Sequence, residues 1–147
     1  MKHESYEAFA ADDRKRFDFT SVGPRGTVAK RILIGPTSDE TIFNLGLVDV
    51  LEDGITLDDS RVTNNGDRDK ILATVVKAVL LFTERYPSQW LFLEGNTPAR
   101  TRLYRMAISL HFADLSEIFV ILGVFANWRF EPFRSNGSYA GFLIAKK

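Results

Sequence analysis

A chain of 147 residues, 45% hydrophobic and with twelve phenylalanines, is long enough for one domain with a packed core. Its 19 basic and 19 acidic side chains cancel, which excludes a general electrostatic attraction to nucleic acid or membrane and leaves only local basic patches to consider. Without cysteine there are no disulfides, thiol catalysis or thiolate zinc sites, and the runs ILATVV and AVLLF, split by Lys77, are too short to span a bilayer.

The opening stretch MKHESYEAFAADDRKR lacks the apolar centre of a signal peptide, so a soluble, cytoplasmic protein is expected. Residues 1–14 read as a polar, loosely held leader, and residues 15–147 as a single domain. RFDFTS (16–21) alternates, with Phe17 and Phe19 on one face, as a half-buried strand does. GPRG (23–26) is a turn, and TVAKRILI (27–34) resumes the alternation through Val28, Ile32 and Ile34. TIFNLGLVDVL (41–51), the EDG turn (52–54) and ITLDDSRV (55–62) repeat the pattern. These segments predict a four-strand antiparallel meander.

NNGDRDK (64–70) opens the first helix, with Asp67 as candidate cap and Asp69 favourable to the helix dipole. To Tyr86, residues Ile71, Leu72, Val75, Val76, Val79 and Phe82 fall on one arc, with Leu80 and Leu81 off it, and Pro87 ends the helix. QWLFLEG (89–95) reads as a short central strand. TPARTRLYRMAISLHF (97–112) is the second helix, with Thr97 as N-cap and Pro98 at the first helical position. IFVILGVF (118–125), the irregular edge NWRFEPF (127–133) and YAGFLIA (139–145) complete the strands. The fold class is α+β: an antiparallel sheet built from the N-terminal meander and the C-terminal strands, with two main helices.

The chemistry concentrates at EGNTPARTRLYR (94–105). Free N–H groups at a helix start attract anions, glycine admits close approach, and the guanidinium fork suits phosphate or carboxylate. Cations in the first turns oppose the helix dipole at about 0.3–1 kcal/mol each, so a helix built for stability alone would carry acids there. If Ala99, Leu103, Met106, Ala107 and Leu110 form the buried stripe, Arg102 and Arg105 share one flank and Arg100 and Tyr104 the other. The competing reading pairs these arginines internally, with Glu94 or with Asp49, Asp58 or Asp59.

Other features carry less. His111 has no evident partner for general-base work. Asp58 and Asp59, adjacent on a strand, point to opposite faces and make a poor metal cluster. Trp90, Trp128 and Phe130 have faces on which bases can stack, but such residues also fill cores. No motif asks for a cofactor.

FTSVGPRG, NLGL, NNGDRDKILATV and GNTPARTRLYRMAIS, in that order, resemble an uncharacterised family of small bacterial domains found mostly in Bacteroidota. The resemblance spans roughly residues 15–145, and TPARTRLYR is its most specific part. It implies an architecture and the location of a site, and no activity. Asn96, Ala99, Leu103, Tyr104 and Arg105 are also similar to an N-x-x-A-x-x-LYR stretch of GCN5-type acetyltransferases. The pyrophosphate loop R/Q-x-x-G-x-G/A of those enzymes is absent here.

Three functions are open at this point. The first is binding of an anionic partner, a nucleic acid or a phosphorylated ligand, through Gly95, Asn96, Thr97, Arg100, Arg102, Tyr104 and Arg105. The second is an enzyme of acyltransferase or nuclease-toxin type, with Arg100, Arg102, Tyr104 and Arg105 stabilising developing negative charge. The third is a protein-interaction domain whose arginines pair with an acidic partner. A pocket beside Gly95–Arg105 holding a base would favour the enzyme, and a flat basic surface would favour binding.

Overall fold

The computed structural model describes residues 4–58, 66–95 and 97–147. Strand β1 (Phe9–Ala10) pairs with β2 (Arg16–Gly23), β2 with β3 (Gly26–Pro36) and β3 with β4 (Ile42–Val50), all antiparallel. A two-residue strand β5 (Leu57–Asp58) adds to β4. The rest of the predicted fourth strand, from Asp59 to Val62, lies outside the described residues. Alternation has the expected effect: Phe17, Phe19, Ile32, Ile34, Leu45 and Leu47 are buried on one face.

Helix α1 (Arg68–Arg85) covers that face, and all six residues of the predicted arc are buried. Off the arc, Leu80 is exposed and Leu81 packs on the rim of the core. The Asp67 side chain does not cap α1. Its Oδ2 accepts instead from the Tyr6 hydroxyl and, at 2.5 Å, from Ser21 Oγ. The supposedly loose leader is thereby fastened: Tyr6 is buried, its N–H donates to Thr74 Oγ1 at 2.8 Å, and its ring stacks on Phe19 at 5.6 Å. A tyrosine ring and hydroxyl supply contacts that a polar count of the segment does not register.

After α1 the chain enters β6 (Trp90–Leu93), which runs parallel to β4 over Ile42–Leu45. Helices α2 (Pro98–Leu110) and α3 (Phe112–Ile118) follow, then β7 (Phe119–Val124), β8 (Phe130–Pro132) and β9 (Gly141–Lys146). The predicted second helix thus breaks at His111 into two, giving three helices among the described residues. The last strand inserts between β6 and β7, antiparallel to both, so the sheet order is β1-β2-β3-β4-β6-β9-β7-β8. No helix among the described residues is long and apolar enough to cross a membrane.

Two features of β4 bear on the site. Asp49 on its inner face forms a 2.6 Å ion pair with Lys30 of β3, and the side chains are 1% and 3% exposed. Beyond Leu45 and Leu93 the parallel strands no longer pair, because β6 ends where the chain turns into α2.

Candidate functional site

Helix α2 sits about a hundred degrees away from its predicted orientation. Its buried residues are Arg100, Tyr104, Ala107 and Ile108, with His111 buried at the helix end. Of the expected stripe only Ala107 is buried; Ala99, Met106 and Leu110 are exposed. The true inward stripe has i, i+4, i+7, i+8 spacing but begins on an arginine, so hydrophobicity alone placed the face wrongly.

Arg100 therefore points into the sheet. It is 7% exposed, and its Nη1 donates to the Leu47 carbonyl in the stretch of β4 that β6 leaves unpaired. The guanidinium supplies a donor that a neighbouring strand would otherwise provide to a buried carbonyl. Tyr104, one turn further on, is buried, and its hydroxyl has no hydrogen-bond partner among the described residues. Burial pushes the phenol up to about 12, against the opposing charge of Arg100.

Removing that hydroxyl sacrifices no bond, so Tyr104→Phe should leave stability unchanged or raise it by up to ~1–3 kcal/mol in denaturant unfolding. The folded state holds the neutral phenol and its pKa exceeds the unfolded value of 10.0. Stability from this group is intact below pH 10 and is lost as pH rises towards about 12. The phenylalanine variant should lose less over that range.

The loop into α2 is held by its own residues. Thr97 caps the helix, accepting from the Arg100 N–H at 3.2 Å. Gly95 donates its N–H to Thr101 Oγ1 at 3.1 Å, and a Cβ on Gly95 would lie 2.3 Å from Thr101 N. The close approach that glycine permits is thus used by the first turn of α2 itself. Thr97→Ala should cost about 0.5–2 kcal/mol, measured as a lower denaturation midpoint at unchanged slope. Asn96 lies outside the described residues.

Opposite the buried stripe, Pro98, Thr101, Arg102 and Arg105 form a second stripe that lines a cleft of about 660 Å³. Its far wall comes from the β7–β8 hairpin and the approach to β9, through Val124, Phe125, Trp128 and Tyr139. Phe92, Glu94, Gly95 and Thr97 also line it. Among the described residues neither Arg102 nor Arg105 makes a hydrogen bond or ion pair. Glu94, the expected local partner, lines the same cleft, is exposed and pairs with neither.

The structure so divides the sequence-predicted set. Gly95, Thr97, Arg102 and Arg105 meet at the cleft, while Arg100 and Tyr104 belong to the buried face.

Trp128 is held in an unusual state. Its φ is +69° and 71% of its surface is exposed. The hairpin imposes this conformation through Trp128 N–H to the Phe125 carbonyl (2.9 Å) and Phe125 N–H to the Arg129 carbonyl (2.8 Å). A bulky residue there costs on the order of 1–2 kcal/mol against glycine. Its neighbour is the Phe92 ring, 5.9 Å away. Phe92 in turn rests on Gly141, where a Cβ would come within 2.6 Å of the ring.

These observations define a small α+β protein with a two-arginine, aromatic-walled cleft at the start of α2. Over residues 2–147 the chain matches DUF6934, a family of unknown function, and it belongs to that family. No curated protein and no solved structure shows significant similarity to it.

Proposed function

We propose that this protein binds a phosphate-bearing ligand in the cleft between α2 and the β7–β8 hairpin. One observation carries the reading: Arg102 and Arg105 face the same cleft and have no anionic partner among the described residues, although Glu94 lines that cleft. Two guanidinium groups one turn apart on the same cleft, with no counter-charge among the described residues, form the donor set that a phosphate takes up. A concave site of this volume suits a small molecule better than a flat protein partner. Among the described residues no hydrogen-bonding group orients Glu94 as a general base needs, and this favours binding over catalysis.

Calorimetric titration with inorganic pyrophosphate tests the proposal. Saturable binding that weakens with added salt and disappears in Arg102→Ala/Arg105→Ala supports it. Absence of binding to the parent chain at low salt, or equal binding by the double variant, contradicts it.

A second reading, acyl transfer, rests on a different place. The parallel strands β4 and β6 part beyond Leu45 and Leu93, and α2 begins at that end of the pair. Ligands of parallel β–α units bind at the carboxyl ends of the strands. An extended thioester arm entering there would have to displace Arg100 from the Leu47 carbonyl. Titration with coenzyme A separates the readings: Arg100→Ala would strengthen binding if the arm lies between the strands, and would leave it unchanged if only the cleft is used.

A further inference from the structure

We infer that the ligand of the cleft is a nucleoside phosphate, with its base against the Trp128 indole and its phosphates on Arg102 and Arg105. This rests on the phosphate-binding reading above and adds the chemistry of the ligand's other end. Trp128 occupies a left-handed position that favours glycine, and most of its surface is in solvent. Neither its backbone nor its burial therefore accounts for a tryptophan there, whereas a flat aromatic ligand would.

The surroundings fit the same ligand. Phe92 lies beside the indole at 5.9 Å, so the cleft presents two adjacent aromatic side chains. Val124 and Phe125 supply apolar wall, and the arginines lie across from them on α2. Glu94 places a carboxylate on the same cleft, an acceptor for ribose hydroxyls or an exocyclic amine. A volume of about 660 Å³ accommodates a mononucleotide. The balance of 19 basic and 19 acidic residues offers no surplus for tracking a nucleic-acid backbone.

The test compares ADP, inorganic pyrophosphate, ribose 5-phosphate and a ten-residue oligothymidylate on the full chain by calorimetry. ADP is expected to bind about tenfold or more tighter than pyrophosphate or ribose 5-phosphate, the range set by base stacking. Trp128→Gly should reduce ADP to the pyrophosphate level while its melting temperature stays equal or rises. Trp128→Phe, which retains an aromatic face, should recover part of the ADP preference. Equal affinity for ADP and pyrophosphate, or an ADP affinity unaffected in both Trp128 variants, overturns the inference and leaves phosphate binding standing. Tighter binding of the oligothymidylate than of ADP overturns it in favour of nucleic acid. Failure of pyrophosphate and ADP alike removes both readings.

Discussion

Asp49→Ala should destabilise the protein by about 3–5 kcal/mol, because it strands a buried ammonium without its counter-charge. Lys30 and Asp49 are 3% and 1% exposed and 2.6 Å apart, opposite one another on β3 and β4 and two residues along from the Leu47 carbonyl that Arg100 holds. Water cannot reach Lys30 to replace the lost carboxylate, so either the charge stays unsolvated or the core opens. Replacing both partners with apolar residues of similar volume, Lys30→Met with Asp49→Leu, should restore part of the loss, since the stranded ammonium is gone. Urea unfolding of the single and double variants checks this. A single-variant loss below about 1 kcal/mol would mean that the pair is not desolvated as the geometry implies.

Arg100→Ala should cost about 1.5–3 kcal/mol or more, although the sequence sets Arg100 among the candidate binding cations of the helix start. It removes a charged donor from the buried Leu47 carbonyl and empties the volume of the side chain. Arg100→Met restores volume without the donor, so it should recover only part of the stability. If the alanine variant unfolds at the parent's denaturant midpoint, β4 does not depend on the guanidinium and the account of the unpaired strand end is wrong.

Local patterns made most of the fold legible. The alternation at Phe17/Phe19 and Ile32/Ile34 gave the meander its inner face, and the arc from Ile71 to Phe82 gave α1 its orientation. Long-range pairing left no local trace. Nothing in YAGFLIA says that β9 enters between β6 and β7, or that β6 lies parallel to β4. The face of helix α2 is hidden in the sequence because its inward stripe begins on Arg100, which is buried by donating to the Leu47 carbonyl, and includes Tyr104 and His111, which hydrophobic periodicity does not mark as core.

The cleft was legible on one side only. Helical spacing separates Arg100 with Tyr104 from Arg102 with Arg105, but which of the two flanks faces the core is set by the sheet and not by the local pattern. Trp128 was visible as an aromatic side chain. Its positive φ and its place facing Arg102 come from the hairpin and from the insertion of β9, which bring residues 92, 102 and 128 together across the chain.

In the proposed function Arg102 and Arg105 serve a ligand and not the fold. Thermal unfolding of the Arg102→Ala/Arg105→Ala variant, with and without saturating inorganic pyrophosphate, tests it most directly. Without ligand the variant is expected to melt at about the parent's temperature, since neither arginine makes a hydrogen bond or ion pair among the described residues. Pyrophosphate is expected to raise the parent's melting temperature and to leave the variant's unchanged. A variant that melts well below the parent, yet is stabilised by pyrophosphate as much as the parent is, would show that these arginines are structural and that the cleft is not the anion site.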